Sequence, residues 1–239
     1  MEEEKTSGQN HKLSPNEFKK LKNTVILRFI MAIVFLAVIF FIPAGTIFYW
    51  EAWVYCAMLL IPMLFSLIYL LNKSPETLMR RMKTKEKEKP QKLFIRLSWL
   101  LFLLAFVIPG LDFRFGWSEV PVWLVAVSAL VILGGYLIFI VVVRENEYAA
   151  RTVEVEEDQQ VISTGPYRLI RHPLYTGVLL IFIFSALALG SYWALIAFIP
   201  LPVIVILRIF NEEKVLSTQL PGYTEYMQKV KYRLIPYIW

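Results

Sequence analysis

Apolar runs alternate with short polar stretches along the chain, and the runs have the length of bilayer-crossing helices. They fall at about Val25–Phe48, Trp53–Leu71, Leu93–Ile108, Val120–Val143 and Pro173–Leu207. About 20 apolar residues suffice for one crossing. Ahead of the first run, Ser14, Pro15 and Glu17 form the pattern of a capping box with proline at the first helical position. A surface helix carrying Lys19, Lys20 and Lys22 should therefore lead into the membrane, with Arg28 close enough to the entry to snorkel. Pro43 and Gly45 are expected to kink or end that span, and Pro109–Glu119 to form a loop. Pro173–Leu207 is 35 residues without a charge. As one helix it would be about 52 Å long, against a hydrocarbon core of about 30 Å. Gly190-Ser191 at its midpoint predicts two shorter helices joined by a tight turn. The pattern predicts an all-α, polytopic transmembrane protein of about six membrane segments, the last two forming a hairpin. Three regions follow: a polar leader and interfacial helix (1–24), four transmembrane segments (25–143) and a C-terminal region (144–239).

Composition supports the membrane reading. Of 239 residues, 57% are hydrophobic, and mean hydropathy is +0.55. Met1–His11 is polar, is expected to be disordered, and lacks the apolar core and cleavage site of a secretory signal. A single cysteine, Cys56, cannot form an intrachain disulfide, and no Cys/His spacing suggests zinc. The net charge of +6 bears first on topology and only distantly on nucleic acid. Asn72–Lys92 carries eight Lys/Arg residues against three Glu. Six crossings would leave Arg114 as the one basic residue of 25 on the opposite face. The positive-inside rule then puts both termini in the cytoplasm. The membrane would be the plasma membrane in a prokaryote and the endoplasmic reticulum in a eukaryote.

Candidate chemistry collects in two places. Gly165–Gly177 reads GPYRLIRHPLYTG, and it follows a polar segment that includes the adjacent acids Glu156–Asp158. It holds His172, one of two histidines, between Arg171 and Tyr175; the other, His11, lies in the leader. Such a cluster at a membrane edge can serve chemistry or simply anchor the helix. The second place is the end of the last apolar run. Arg208 and Glu212 are four apart and share a helix face, with Glu213 adjacent. They can be a surface ion pair, or a charged pair holding a polar ligand in a poorly hydrated place. Leu220-Pro221-Gly222-Tyr223 breaks that helix, and Tyr223–Val230 can resume it.

Asn146, Gln160-Val161-Ile162, Gly165-Pro166-Tyr167, Arg171-His172-Pro173, Tyr175, Gly177, Arg208, Glu212-Glu213, Leu216, Pro221-Gly222-Tyr223, Tyr226, Arg233 and Pro236 together carry a resemblance. Over roughly Arg144 to Pro236 the chain resembles the isoprenylcysteine carboxyl methyltransferase family, whose broader relatives include phospholipid methyltransferases. The resemblance implies an integral membrane methyltransferase using S-adenosyl-L-methionine, with no metal and with a cytoplasmic C-terminal cofactor site. It implies cofactor-binding roles for His172, Pro173, Tyr175, Gly177 and Glu212, with Tyr167, Arg171 and Tyr223 as further candidates. It implies catalytic roles for Arg208 and Glu213. A carboxylate acceptor is already a nucleophile, so the protein has mainly to align two partners. Arg208 suits that task because its planar fork pairs with a carboxylate. If Glu213 buttresses Arg208, the two should respond alike to substitution. The expected partners are membrane lipids and a lipophilic small molecule or lipid-anchored substrate, with no nucleic acid. The chain is read as a monomer, with a homodimer as the alternative.

Other readings stay open. Amine methylation of a phospholipid uses the same frame. Nicotinamide-dependent membrane reductases share an RHPxY-like block, but they usually have Asn before the Tyr and Gly-Asp after it, where this chain has Leu174 and Gly177-Val178. A scaffold or transporter would bind no cofactor and would place charge mid-span, whereas here polar residues sit at the helix ends.

Overall fold

Ser14 begins the first helix as its capping box requires. In the computed structural model, which describes residues 14–81, 89–146, 148, 155 and 159–239, the Ser14 hydroxyl accepts from the Glu17 amide. The Glu17 carboxylate accepts from the Ser14 amide in return. The leader with His11, residues 82–88 of the basic loop, and the acids Glu156–Asp158 lie outside the described residues. Helix α1 runs unbroken over Pro15–Ala44, so the interfacial turn and the first span are one element. It ends at Gly45, whose φ of 68° lets its amide return to the carbonyls of Phe41 and Ile42. Helices α2 (Trp50–Lys73), the short α3 (Pro75–Arg81), α4 (Lys89–Phe115) and α5 (Val122–Glu145) follow. After a 3₁₀ turn at Gly165–Arg168 come α6 (Pro173–Ala188), α7 (Trp193–Phe198), α8 (Pro200–Gln219) and α9 (Tyr223–Lys229).

No strand forms among the described residues. Four helical stretches among them are long and apolar enough to cross a membrane: α1, α2, α5 and Trp193–Gln219. The protein is all-helical and belongs in the membrane as a multi-pass chain. Its outward apolar side chains agree, since Ile42 on α1, Phe65 on α2 and Leu130 on α5 are all exposed. A helix apolar on every side needs lipid against the part that protein does not cover.

One boundary differs from what the pattern predicts. The loop expected from Pro109 is helix as far as Phe115. Proline tends to break a helix, but here Pro109 is fully buried. Its neighbour Gly110 lies so close to α1 that a Cβ would stand 2.8 Å from the Phe40 carbonyl oxygen. Contact with α1 thus carries α4 on past the proline. Helix α8 ends at Gln219, with Leu220 as its cap, where the sequence puts the break.

The uncharged run breaks where its glycine lies. Gly190 has φ of 72°, and the Ser191 hydroxyl bonds the Asp112 carboxylate. Asp112 also accepts from the amide and hydroxyl of Ser118, both at 2.7 Å. This nearly fully buried carboxylate joins the α6–α7 turn to the α4–α5 loop. Deeper in, Phe40, Tyr55 and Phe106 meet edge-on or tilted, and the Tyr55 hydroxyl lies 2.7 Å from Ser185 Oγ, tying α2 to α6.

The most extensive helix contact among the described residues is between α5 and α6. A Cβ on Gly177 would lie 2.9 Å from the Gly135 carbonyl oxygen, and one on Gly135 would lie 2.9 Å from the Gly177 carbonyl oxygen. Backbone cannot yield as a side-chain tip can. Gly177→Ala is therefore expected to destabilise the protein by about 1–3 kcal/mol, the usual cost of overpacking. Gly134→Ala, with nothing within 4 Å of its added Cβ, is the matched neutral control. Thermal unfolding in detergent compares the two; equal midpoints would show that the α5–α6 contact is not tight.

Candidate functional site

The site forms where the start of α6 meets the end of α8 and the C-terminal segment. His172 is the N-cap of α6 and Pro173 its first residue, which fits proline's fixed φ and missing amide. The residues just before the helix are held from outside it. The Arg171 amide donates to the Tyr232 carbonyl and the His172 amide to the Arg233 carbonyl, both at 2.9 Å. The Thr176 hydroxyl donates to the Leu234 carbonyl at 2.8 Å. Residues 230–234 therefore run along the start of α6 and fix its direction.

Four charged or titratable groups then converge in one buried knot. Arg171 Nε donates to Glu213 Oε1 at 2.7 Å, and its Nη1 donates to the Val230 carbonyl at 2.8 Å. Arg233 Nε donates to Glu213 Oε2 at 2.9 Å, and His172 Nε2 lies 3.2 Å from Glu213 Oε1. Arg171, His172 and Glu213 are each buried. Charge is tolerated there because each ion has a partner and further hydrogen bonds. Arg233 also stacks its guanidinium 5.1 Å from the ring centres of Phe210 and Trp239.

Beside the knot lies an open cavity of about 110 Å³. Of the residues the sequence points to, Tyr167, Arg171, His172, Tyr175, Arg208, Glu212 and Tyr223 line it. The Tyr175 hydroxyl donates to Glu212 Oε2 at 2.6 Å and accepts from Arg208 Nε at 2.7 Å. The other Glu212 oxygen is 3.8 Å from His172 Nδ1. The Tyr223 hydroxyl is buried without a partner among the described residues, on a residue that lines the cavity. Burial pushes its phenol pKa well up, with Glu212 and Glu213 adding and Arg171 opposing, so Tyr223 is a neutral hydroxyl. Burial likewise raises Tyr226, whose hydroxyl donates to the Tyr167 carbonyl at 2.7 Å.

Three expected site residues stand elsewhere. Gly177 is in the α5–α6 contact, Pro173 is buried at the helix start, and Glu213 is in the knot; none lines the cavity. The described contacts of Glu213 are with Arg171, His172 and Arg233, not Arg208. The cavity adds Asn146, Tyr148, Gln159, Gln160, Leu174 and Tyr226 to the candidates. Asn146 Nδ2 donates to the Tyr167 hydroxyl at 3.0 Å, closing one wall. Asn146, Gln160 and Tyr226 carry the family resemblance, so a signal for them was present in the sequence. Gln159 and Tyr148 have no pattern that marks them.

No curated protein matches the chain. The family model described as phospholipid methyltransferase matches residues 123–221, from the first turn of α5 to Pro221. The match spans the start of α6 and the whole of α8, which supply Tyr175, Arg208 and Glu212. Over this stretch the chain is similar to the phospholipid methyltransferase family, part of the broader membrane methyltransferase group that includes the isoprenylcysteine carboxyl methyltransferases.

Proposed function

We propose that the protein is an S-adenosyl-L-methionine-dependent membrane methyltransferase that esterifies the carboxylate of a lipophilic acceptor, an isoprenylcysteine-like group among them. The observation that carries this reading is the placement of Arg208 and Glu212 on one cavity wall, joined through the Tyr175 hydroxyl. The chemistry of the lining suits the donor. Glu212 offers a carboxylate to its ammonium, Tyr223 a hydroxyl with no partner among the described residues, and Tyr167 and Tyr226 aromatic surface near Leu174 and Leu216. When bound, the donor supplies a sulfonium-activated methyl group. Arg208 then orients the acceptor carboxylate by a charge-assisted pair. Since the acceptor is already anionic, alignment is the main task left to the protein. His172 flanks Glu212 on its far side, and the buried knot keeps His172 still.

A second reading, methylation of a phospholipid amine, is favoured by the description of the matching family. An ammonium acceptor must first lose a proton, and Glu212 with Tyr175 would have to take it. Two measurements decide. S-adenosylhomocysteine should bind the detergent-purified protein in a direct titration; absence of binding would overturn both methyltransferase readings and leave a reductase, transporter or scaffold. Labelled methyl groups should then appear as base-labile esters on prenylcysteine or other lipophilic carboxylates, whereas base-stable products on ethanolamine phospholipids would favour the second reading.

The six-segment topology, with both termini and the site in the cytoplasm, belongs to the same proposal. It is supported by the basic excess around α3 and by the position of the α6–α7 turn beside the α4–α5 loop. Cysteines at the exposed positions Lys73 and Glu119 are expected to label from opposite sides of the membrane. Glu119 suits the test better than Ser118, whose hydroxyl serves Asp112. Labelling from one side would sink the arrangement.

A further inference from the structure

We propose that the Tyr175 hydroxyl is the joint between the two halves of this cavity, so that a cofactor ammonium taken by Glu212 strengthens the hold of Arg208 on an anionic acceptor. The inference rests on the methyltransferase reading. It makes Tyr175 a positioning residue and makes the two substrates bind cooperatively.

The geometry is a three-member chain. Arg208 Nε donates to the Tyr175 oxygen at 2.7 Å, and that hydroxyl gives its one proton to Glu212 Oε2 at 2.6 Å. Arg208 and Glu212 lie one turn apart on α8, and the hydroxyl between them comes from α6. In a poorly hydrated site, hydrogen bonds linked in this way polarise one another. The negative charge of Glu212 therefore balances part of the positive charge of Arg208 through the phenol. An ammonium arriving at Glu212 draws on the same carboxylate and weakens that compensation. Arg208 then attracts a carboxylate more strongly. By linkage, the acceptor must strengthen cofactor binding by the same factor.

The neighbouring contacts limit the alternatives. His172 Nδ1 lies 3.8 Å from Glu212 Oε1, the oxygen that Tyr175 does not use, beyond hydrogen-bond reach, so among the described contacts Tyr175 is the hydrogen-bond partner of this carboxylate. Glu213 is bound to Arg171, His172 and Arg233 on the other side of the helix. Tyr175 also packs on Arg208, its ring centre 5.9 Å from the guanidinium. Tyr175→Phe separates the two, since it keeps the ring and removes only the hydroxyl.

The test uses the full chain in detergent and two ligands that do not react. S-adenosylhomocysteine carries the ammonium but no sulfonium and is neutral overall, so it isolates the route through Glu212 from bulk charge. (Dodecylthio)acetate, a carboxylate on a C12 thioether, serves as the anionic amphiphile. Calorimetric titration of each, with and without saturating amounts of the other, yields the coupling factor. The wild type is expected to show at least a fivefold mutual tightening. Tyr175→Phe should still bind each ligand alone, with the factor reduced to less than twofold. Glu212→Gln, whose amide can accept from the phenol but has no charge, should lose the factor as well. An unchanged factor in either variant, or none in the wild type, would overturn the joint while leaving the methyltransferase reading in place. Failure of S-adenosylhomocysteine to bind the wild type would remove that reading and the joint together.

Discussion

Arg208→Lys is expected to lower methyl transfer at least tenfold while leaving affinity for S-adenosylhomocysteine within about a factor of two. Arg208 lies on the cavity wall with its Nε committed to Tyr175. A guanidinium can hold that hydroxyl with one donor and present others, in a fixed plane, to a carboxylate. Lysine keeps the charge but offers a single ammonium on a flexible stem. It can reach the phenol or the acceptor, and it does not fix the angle between them. A tenfold loss corresponds to about 1.4 kcal/mol of transition-state stabilisation, a modest share of what a bidentate charged contact supplies. An exposed helix-end pair would be worth only about 0–1 kcal/mol and would leave turnover nearly normal. Transfer from labelled S-adenosylmethionine, measured beside cofactor affinity, distinguishes the two. Near-wild-type turnover would defeat the acceptor-orienting role.

Glu213→Gln is expected to act on stability before it acts on chemistry. The native carboxylate accepts from Arg171 and Arg233 on its two oxygens, and His172 lies beside the first. An amide has one accepting oxygen and one donating nitrogen, so one of the arginines would face a donor. Arg171 is buried and cannot turn to water, whereas Arg233 is half-exposed and can. Removing one partner of a buried pair costs about 3–5 kcal/mol. At roughly 2–4 °C per kcal/mol for a chain of this size, the apparent melting point in detergent should fall by about 6–12 °C or more. Glu212→Gln is the informative contrast. Its carboxylate borders the cavity, so the variant should keep most of its stability and lose cofactor affinity. Equal melting points for wild type and Glu213→Gln would show that the knot does not hold the start of α6 in place. The structure thus separates Glu213 from Arg208, against the expectation that the two would respond alike.

The helical frame was legible in the sequence because local chemistry decides it. Ser14 and Glu17 cap α1 wherever that helix packs, Gly45 and Gly190 take positive φ that other residues resist, and the length of the apolar runs follows from lipid. Arg171, His172, Tyr175, Arg208 and Glu212 could be named in advance, since one short motif and one helix face carry them all. Tyr223 was a candidate only through the family resemblance, which includes Pro221-Gly222-Tyr223. What the sequence could not contain was the direction each of these groups faces. Glu212 and Glu213 are adjacent carboxylates, yet about 100° of helix rotation turns one to the cavity and the other to Arg171 and Arg233, which come from segments before and after α8. Gly177 falls within the motif, but a second glycine on α5, 42 positions earlier at Gly135, claims it for helix packing. Pro109 reads as a stop, and only the close approach of α1 at Gly110 carries the helix past it. By itself, then, the sequence determined the helices, their caps and turns, and the residue types available at the membrane edge, because those depend on near neighbours and on solvent. Only the tertiary structure decided which of two neighbouring acids borders the cavity and which is locked in an ion knot, because that choice depends on partners brought together from distant parts of the chain.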